Sequence, residues 1–118
     1  MPAMSDFAVP EGFSVRVVRR GDTAVVVPTG ELDIGSAPEL EASLARAYAD
    51  AARRVVLDLR ELEFIDSGGL HALLVARRRA EAAGKAFSLV AGHHGVQRTL
   101  EIAGVHHVFS WAPAGEIA

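Results

Sequence analysis

Cysteine is absent from the 118 residues, which removes disulfides, thiolate metal sites and a cysteine nucleophile together. That suits a reducing compartment, and the cytoplasm is the expected location. No apolar run approaches the roughly 20 residues that a helix needs to cross a bilayer. The first ten residues contain Asp6 and no basic stretch ahead of an apolar one, so neither a secretion signal nor a membrane partner is expected. Positive charge is not in excess either: 12 Lys and Arg face 15 Asp and Glu, for a net charge of −3. Nucleic-acid binders draw most of their affinity from neutralising phosphates, so no direct nucleic-acid contact is expected. The one basic cluster, Arg77-Arg78-Arg79, fans out around a helix instead of forming a stripe.

Motifs for chemistry are missing too. No G-x-x-x-x-G-K-[ST] loop cradles a nucleotide, and no H-x-x-x-H or cysteine pair supports zinc. The doublets His93-His94 and His106-His107 would point to opposite faces of an extended chain, and His71 stands alone. No metal and no cofactor are therefore expected. A serine hydrolase built on Ser67 and His71, one helical turn apart, lacks the G-x-S-x-G elbow and an orienting carboxylate, so no catalytic residue is assigned.

What remains is an ordinary globule, half of it hydrophobic. A chain of this length forms one domain and buries about two thirds of the surface its unfolded form exposes. Phe13 to Arg19 alternates apolar and polar residues, Arg20-Gly21-Asp22 turns, and Thr23 to Val27 is β-branched, which predicts an antiparallel hairpin. Pro28 cannot donate to a ladder and places an edge, a bulge or the strand's end there. Ser36-Ala37-Pro38-Glu39 has the spacing of a capping box with proline in the first turn, and Leu40, Leu44, Ala47, Tyr48 and Ala51 form one helical face.

Val55 to Leu59 is nearly all apolar, as a central parallel strand requires, and Asp58 within it is expected at an exposed end or hydrogen-bonded. Glu61 to Ile65 reads as a loop. A second helix follows from Ser67 with Leu70, Leu73, Leu74 and alanines 76, 80 and 83 inward, and Gly84 stops it. Ala86 to Ala91 is a strand, Gly95 to Ala103 a helix that His94 helps to open, and Val105 to Phe109 a last short strand, with His106-His107 in or near an edge. The order ββαβαβαβ predicts an α/β fold with a mixed, mostly parallel sheet and helices packed against it. The domain is expected over residues 13–110, with an N-terminal extension over 1–12 and a tail over 111–118.

Asp66-Ser67-Gly68-Gly69-Leu70 is the most informative stretch. It places a hydroxyl beside a carboxylate at the start of a helix, where unpartnered N–H groups and the macrodipole favour a phosphate. On placement alone Ser67 is a candidate switch, and an ordinary helix N-cap is the commoner role for a serine there.

Together, Gly30-Glu31-Leu32-Asp33, the strand at Val55 to Leu59, and Phe64-Ile65-Asp66-Ser67-Gly68-Gly69-Leu70 resemble a STAS domain of the anti-sigma factor antagonist type. Many members carry Ser or Thr where this chain has Gly68, which leaves Ser67 as the motif's one hydroxyl. The resemblance implies a partner switch. The unphosphorylated protein binds a serine-kinase anti-sigma factor and releases the sigma factor; phosphorylation of Ser67 ends binding, and a phosphatase restores it. It also implies a partner-facing surface of Asp33, Asp66, Ser67, Gly68 and Gly69, with Asp33 equally readable as a turn or cap residue. A phosphorylation-independent STAS scaffold or transporter-associated subunit is the alternative.

Overall fold

The computed structural model describes residues 12–117. The expected N-terminal extension therefore lies almost wholly outside the described residues. Strands β1 (Ser14–Arg20) and β2 (Thr23–Leu32) form the predicted antiparallel hairpin, closed at Gly21 in the left-handed region (φ 57°). Helix α1 (Ala37–Ala49), strands β3 (Arg54–Asp58) and β4 (Leu62–Ile65), helix α2 (Ser67–Ala82), strand β5 (Ala86–Val90) and helix α3 (His94–Ile102) follow, with short 3-10 turns at His106–Val108 and Ala114–Glu116.

The sheet runs β1-β2-β3-β5, with β4 also on β2; β1 pairs antiparallel and every other pairing is parallel. The mixed, mostly parallel sheet matches the expectation, while the element order differs in two places, before α2 and after α3. Glu61 to Ile65, expected as a loop, contributes β4, because β2 extends past Val27 to Leu32 and offers Gly30–Leu32 as a template for Leu62–Ile65. Val105 to Phe109, expected as a strand, instead coils into a 3-10 turn. There Trp111 stacks on His106 at 4.8 Å and its Nε1–H donates to the His106 carbonyl. The segment then meets the sheet edge at one bridge between Trp111 and Leu89, where the Leu89 N–H donates to the Ser110 carbonyl and the Ala112 N–H to the Leu89 carbonyl.

Pro28 neither ends nor kinks β2. The N–H of Gly30 donates to Glu61 on the β4 side, and N–H directions alternate along a strand, so the nitrogen of Pro28 points the same way. On that side β2 pairs β3 only over Thr23–Val26 and β4 only from Gly30, so the missing donor falls between partners. The register shift comes two residues later, between Gly30 and Glu31.

All three helices pack on one face. Ala24, Val26, Val55, Leu57 and Leu89 meet Leu40, Leu44, Leu73, Ala76, Val96 and Leu100 in one buried core. The opposite face carries Val25, Val27, Val56 and Val90, which Ala112 and Ile117 cover. The Tyr48 hydroxyl donates to the Ala76 carbonyl at 2.8 Å and fixes α1 against α2. That pairing frames the site, because the start of α2 then faces the loop that leads into α1.

Candidate functional site

The chain leaves β4 and enters α2 through Asp66, whose extended backbone (φ −116°, ψ −168°) and side chain make it the N-cap. Its carboxylate accepts from the Gly69 N–H at 3.0 Å, and its own N–H donates to the Leu32 carbonyl at the end of β2. Capping thus belongs to Asp66 and not to Ser67. Ser67 is the first helical residue and is exposed, with its hydroxyl free of the capping duty that serine so often performs.

The two glycines are required by the protein's own packing. A Cβ on Gly68 would lie 2.8 Å from the backbone nitrogen of Ile34, and one on Gly69 would lie 2.4 Å from the Leu32 carbonyl oxygen and 2.6 Å from Ile65 Cγ1. All three distances lie inside ordinary contact distance, so the loop after β2 can rest on the α2 terminus only because these side chains are missing.

That loop is built by Asp33 and Ser36. Asp33 Oδ1 accepts from the N–H groups of Gly35 (2.9 Å) and Ser36 (3.0 Å), while the buried Ser36 hydroxyl donates to the Glu31 carbonyl (2.7 Å) and accepts from the Asp33 N–H (3.0 Å). The predicted capping box therefore does not form. Ser36 precedes α1, but its hydroxyl satisfies a carbonyl at the end of β2 instead of an N–H of α1. The tight turn thrusts Ile34 outward, 82% exposed.

Between the loop and the start of α2 lies an open concavity of about 490 Å³. Ile34, Pro38 and Glu41 line one side; Asp66, Ser67, Gly68 and His71 line the other. Of the five residues expected to face a partner, the structure gathers Asp66, Ser67 and Gly68 here. Gly69 is buried beneath them, and half-buried Asp33 is engaged in its own turn. Ile34, Pro38 and Glu41 were not singled out from the sequence. A lone isoleucine before a glycine has no periodicity to reveal it, and Glu41 and Pro38 read as parts of an ordinary amphipathic helix. Electrostatically the concavity holds two carboxylates, Glu41 and Asp66, one imidazole, and no Lys or Arg.

The other candidate groups serve the fold. Asp58 is buried at the end of β3 and hydrogen-bonded, as expected, with Arg60 bound to both oxygens. Helix α3 is capped by His93, one residue before the expected His94. The His93 Nδ1 accepts from the Gly95 N–H at 2.9 Å, which leaves Nε2 to carry the proton toward the Glu63 carbonyl at 3.0 Å. Among the described residues no helix is long and apolar enough to cross a membrane.

Comparison with known proteins connects this geometry to relatives. The STAS domain family model matches residues 14–116. BtrV of Bordetella bronchiseptica, named as an anti-sigma factor antagonist, is 37% identical over 90 residues, covering 75% of this chain and 77% of the relative. The anti-sigma-F factor antagonist RsfB of Mycobacterium tuberculosis is 28% identical over 102 residues, covering 86% and 83%. The crystal structure of an anti-sigma factor antagonist from Mycobacterium paratuberculosis superposes with a TM-score of 0.80 at 27% identity, covering 92% of each chain.

Proposed function

The chain belongs to the STAS domain family, and from that membership we propose that it is an anti-sigma factor antagonist, a regulatory binding protein and not an enzyme, switched by phosphorylation of Ser67. The observation that carries this reading is the position of Ser67: first residue of α2, exposed, uninvolved in capping, and on the rim of a concavity flanked by exposed Ile34. Relatives named as anti-sigma factor antagonists support the class of partner.

In this reading the unmodified surface docks a serine-kinase anti-sigma factor in the cytoplasm, and the sigma factor is released. The kinase then transfers the γ-phosphoryl group of its ATP. The Ser67 oxygen forms a bond to phosphorus as the bond to the ADP leaving oxygen breaks, and a base on the kinase takes the hydroxyl proton. A phosphatase reverses the change with water as acceptor. The phosphate adds about 1.5 to 2 negative charges beside Asp66 and Glu41. A hundredfold loss of affinity corresponds to about 2.7 kcal/mol, within what a like-charge juxtaposition in a docked interface can impose. No refolding is needed, because the macrodipole and the free N–H groups of the first turn of α2 favour the phosphate locally.

The test is incubation with the cognate kinase and ATP, mapping of the modified residue, and comparison of kinase binding by wild type, Ser67→Ala and Ser67→Glu. Modification confined to Ser67, retained binding by Ser67→Ala and loss of at least about tenfold by Ser67→Glu are expected. Equal binding by all three, with no modification, would leave a phosphorylation-independent scaffold.

A further inference from the structure

A phosphate on Ser67 would enter a concavity whose fixed charges are all negative: Asp66 from the α2 cap and Glu41 from α1. Asp33 in the adjoining loop keeps one carboxylate oxygen on the N–H groups of Gly35 and Ser36. No lysine or arginine lines the space, and the arginines of α2 begin only at Arg77, six residues beyond His71. One lining side chain can acquire positive charge near neutral pH, and it is His71.

Its placement is suited to that task. His71 follows Ser67 by four residues on the same helix, the spacing at which side chains stand one above the other, and both residues are exposed and line the same concavity. No packing demand explains the histidine, since the buried side of α2 is carried by Gly69, Ala72, Leu73, Ala76 and Ala80.

We propose that His71 is the proton-carrying counter-group of phosphorylated Ser67: on modification it takes a proton from solvent and its imidazolium pairs with the phosphate. The proposal rests on the phosphoacceptor reading of Ser67 and gives that switch a built-in pH dependence. A free imidazole titrates near 6.5 and a phosphomonoester near 6, so the two overlap and titrate as a coupled pair. The phosphate dianion favours the imidazolium, as do Glu41 and Asp66, while the imidazolium favours the dianion. Above neutrality the pair loses its proton and the modified surface presents its full negative charge; toward pH 6 that charge is partly neutralised, and repulsion of a docked partner weakens.

The experiment uses the full chain with phosphoserine installed at position 67 during translation, and wild type is compared with His71→Gln. Imidazole nitrogen and phosphorus NMR titrations are recorded between pH 5.5 and 8.5. The titration midpoint of His71 is expected to rise on phosphorylation by about half a unit or more, about a threefold gain in proton affinity. The midpoint of exposed His107, which follows α3 and lies away from the concavity, should move by less than about a third of that. In His71→Gln the phosphate midpoint should move to higher pH than in wild type, because the carboxylates then act on it alone. Equal movement of His71 and His107, or a phosphate that titrates identically in the two proteins, overturns the proposal. Because no kinase is used, that failure is separable from failure of Ser67 as a kinase substrate.

Discussion

At Gly69, the missing side chain is as specific as any side chain present. Leu32 and Ile65 fill the space a methyl group would take, and the Gly69 N–H caps onto Asp66. Gly69→Ala should therefore act as overpacking against backbone. A loss of about 2–3 kcal/mol in stability is expected, read from the urea midpoint. Gly115→Ala, with nothing within 4 Å of the added carbon, should stay within about 0.5 kcal/mol of wild type. In the sequence Gly68 and Gly69 stand only as two small residues after a serine. The backbone that an added Cβ would strike, at Leu32 and Ile34, lies far away in the chain, and no local pattern announces it. The identity of the cap was hidden for a similar reason. Asp66 and Ser67 are both good N-caps, and the choice is settled by the hydrogen bond from the Asp66 N–H to Leu32, a tertiary contact.

The helices were the most legible elements, because their ends obey local rules. Gly84 is a clear case: with φ 72°, it donates to Glu81, and Lys85 donates to Ala80, the paired bonds of a Schellman ending. A Cβ there meets open space, so Gly84→Ala isolates backbone strain from packing. It should cost about 1–2 kcal/mol by chemical denaturation, with Gly84→Asn costing less. Strands whose partners lie far away were harder to see. Leu62–Ile65 is only four residues long, with Glu63 and Phe64 exposed, so it lacks both the length and the alternation that mark a strand. It becomes one only because β2 runs to ten residues, through a proline whose missing donor has no partner to disappoint. The opposite error at Val105 to Phe109 has the same root. β-branched and aromatic residues suggested a strand, but Trp111 closes the segment on itself through His106.

For the molecule as a whole, the weak margin is β1, an edge strand with most of its residues exposed. Its arginines discourage pairing with another chain, and two of them also hold the strand in place. Arg19 reaches Asp50 at the end of α1 (2.8 Å), and Arg16 makes two hydrogen bonds to Glu61 between β3 and β4, where Glu61 also accepts from the Thr29 hydroxyl (2.9 Å). The bonds from Arg16 and then Thr29 lower the Glu61 pKa from 4.5 to about 2. The Ala51 N–H, and after it Arg19, lowers that of Asp50. A folded-state pKa below the unfolded value means that the unfolded chain binds the proton more readily. The Glu61 contribution is therefore complete above about pH 4.5, shrinks as the pH falls, and is gone below about pH 2. Many carboxylates titrate over that range, so the measurement must be differential. The stability gap between wild type and Glu61→Gln, taken from urea midpoints at each pH, should be largest at pH 7 and close between pH 4.5 and 2. Because the pair is exposed, the gap at pH 7 should also narrow in 1 M salt, where the Debye length is about 3 Å. A gap that persisted at pH 2 would place the effect of Glu61 in packing instead of charge, leaving β1 held at that end by its hydrogen bonds to β2 alone.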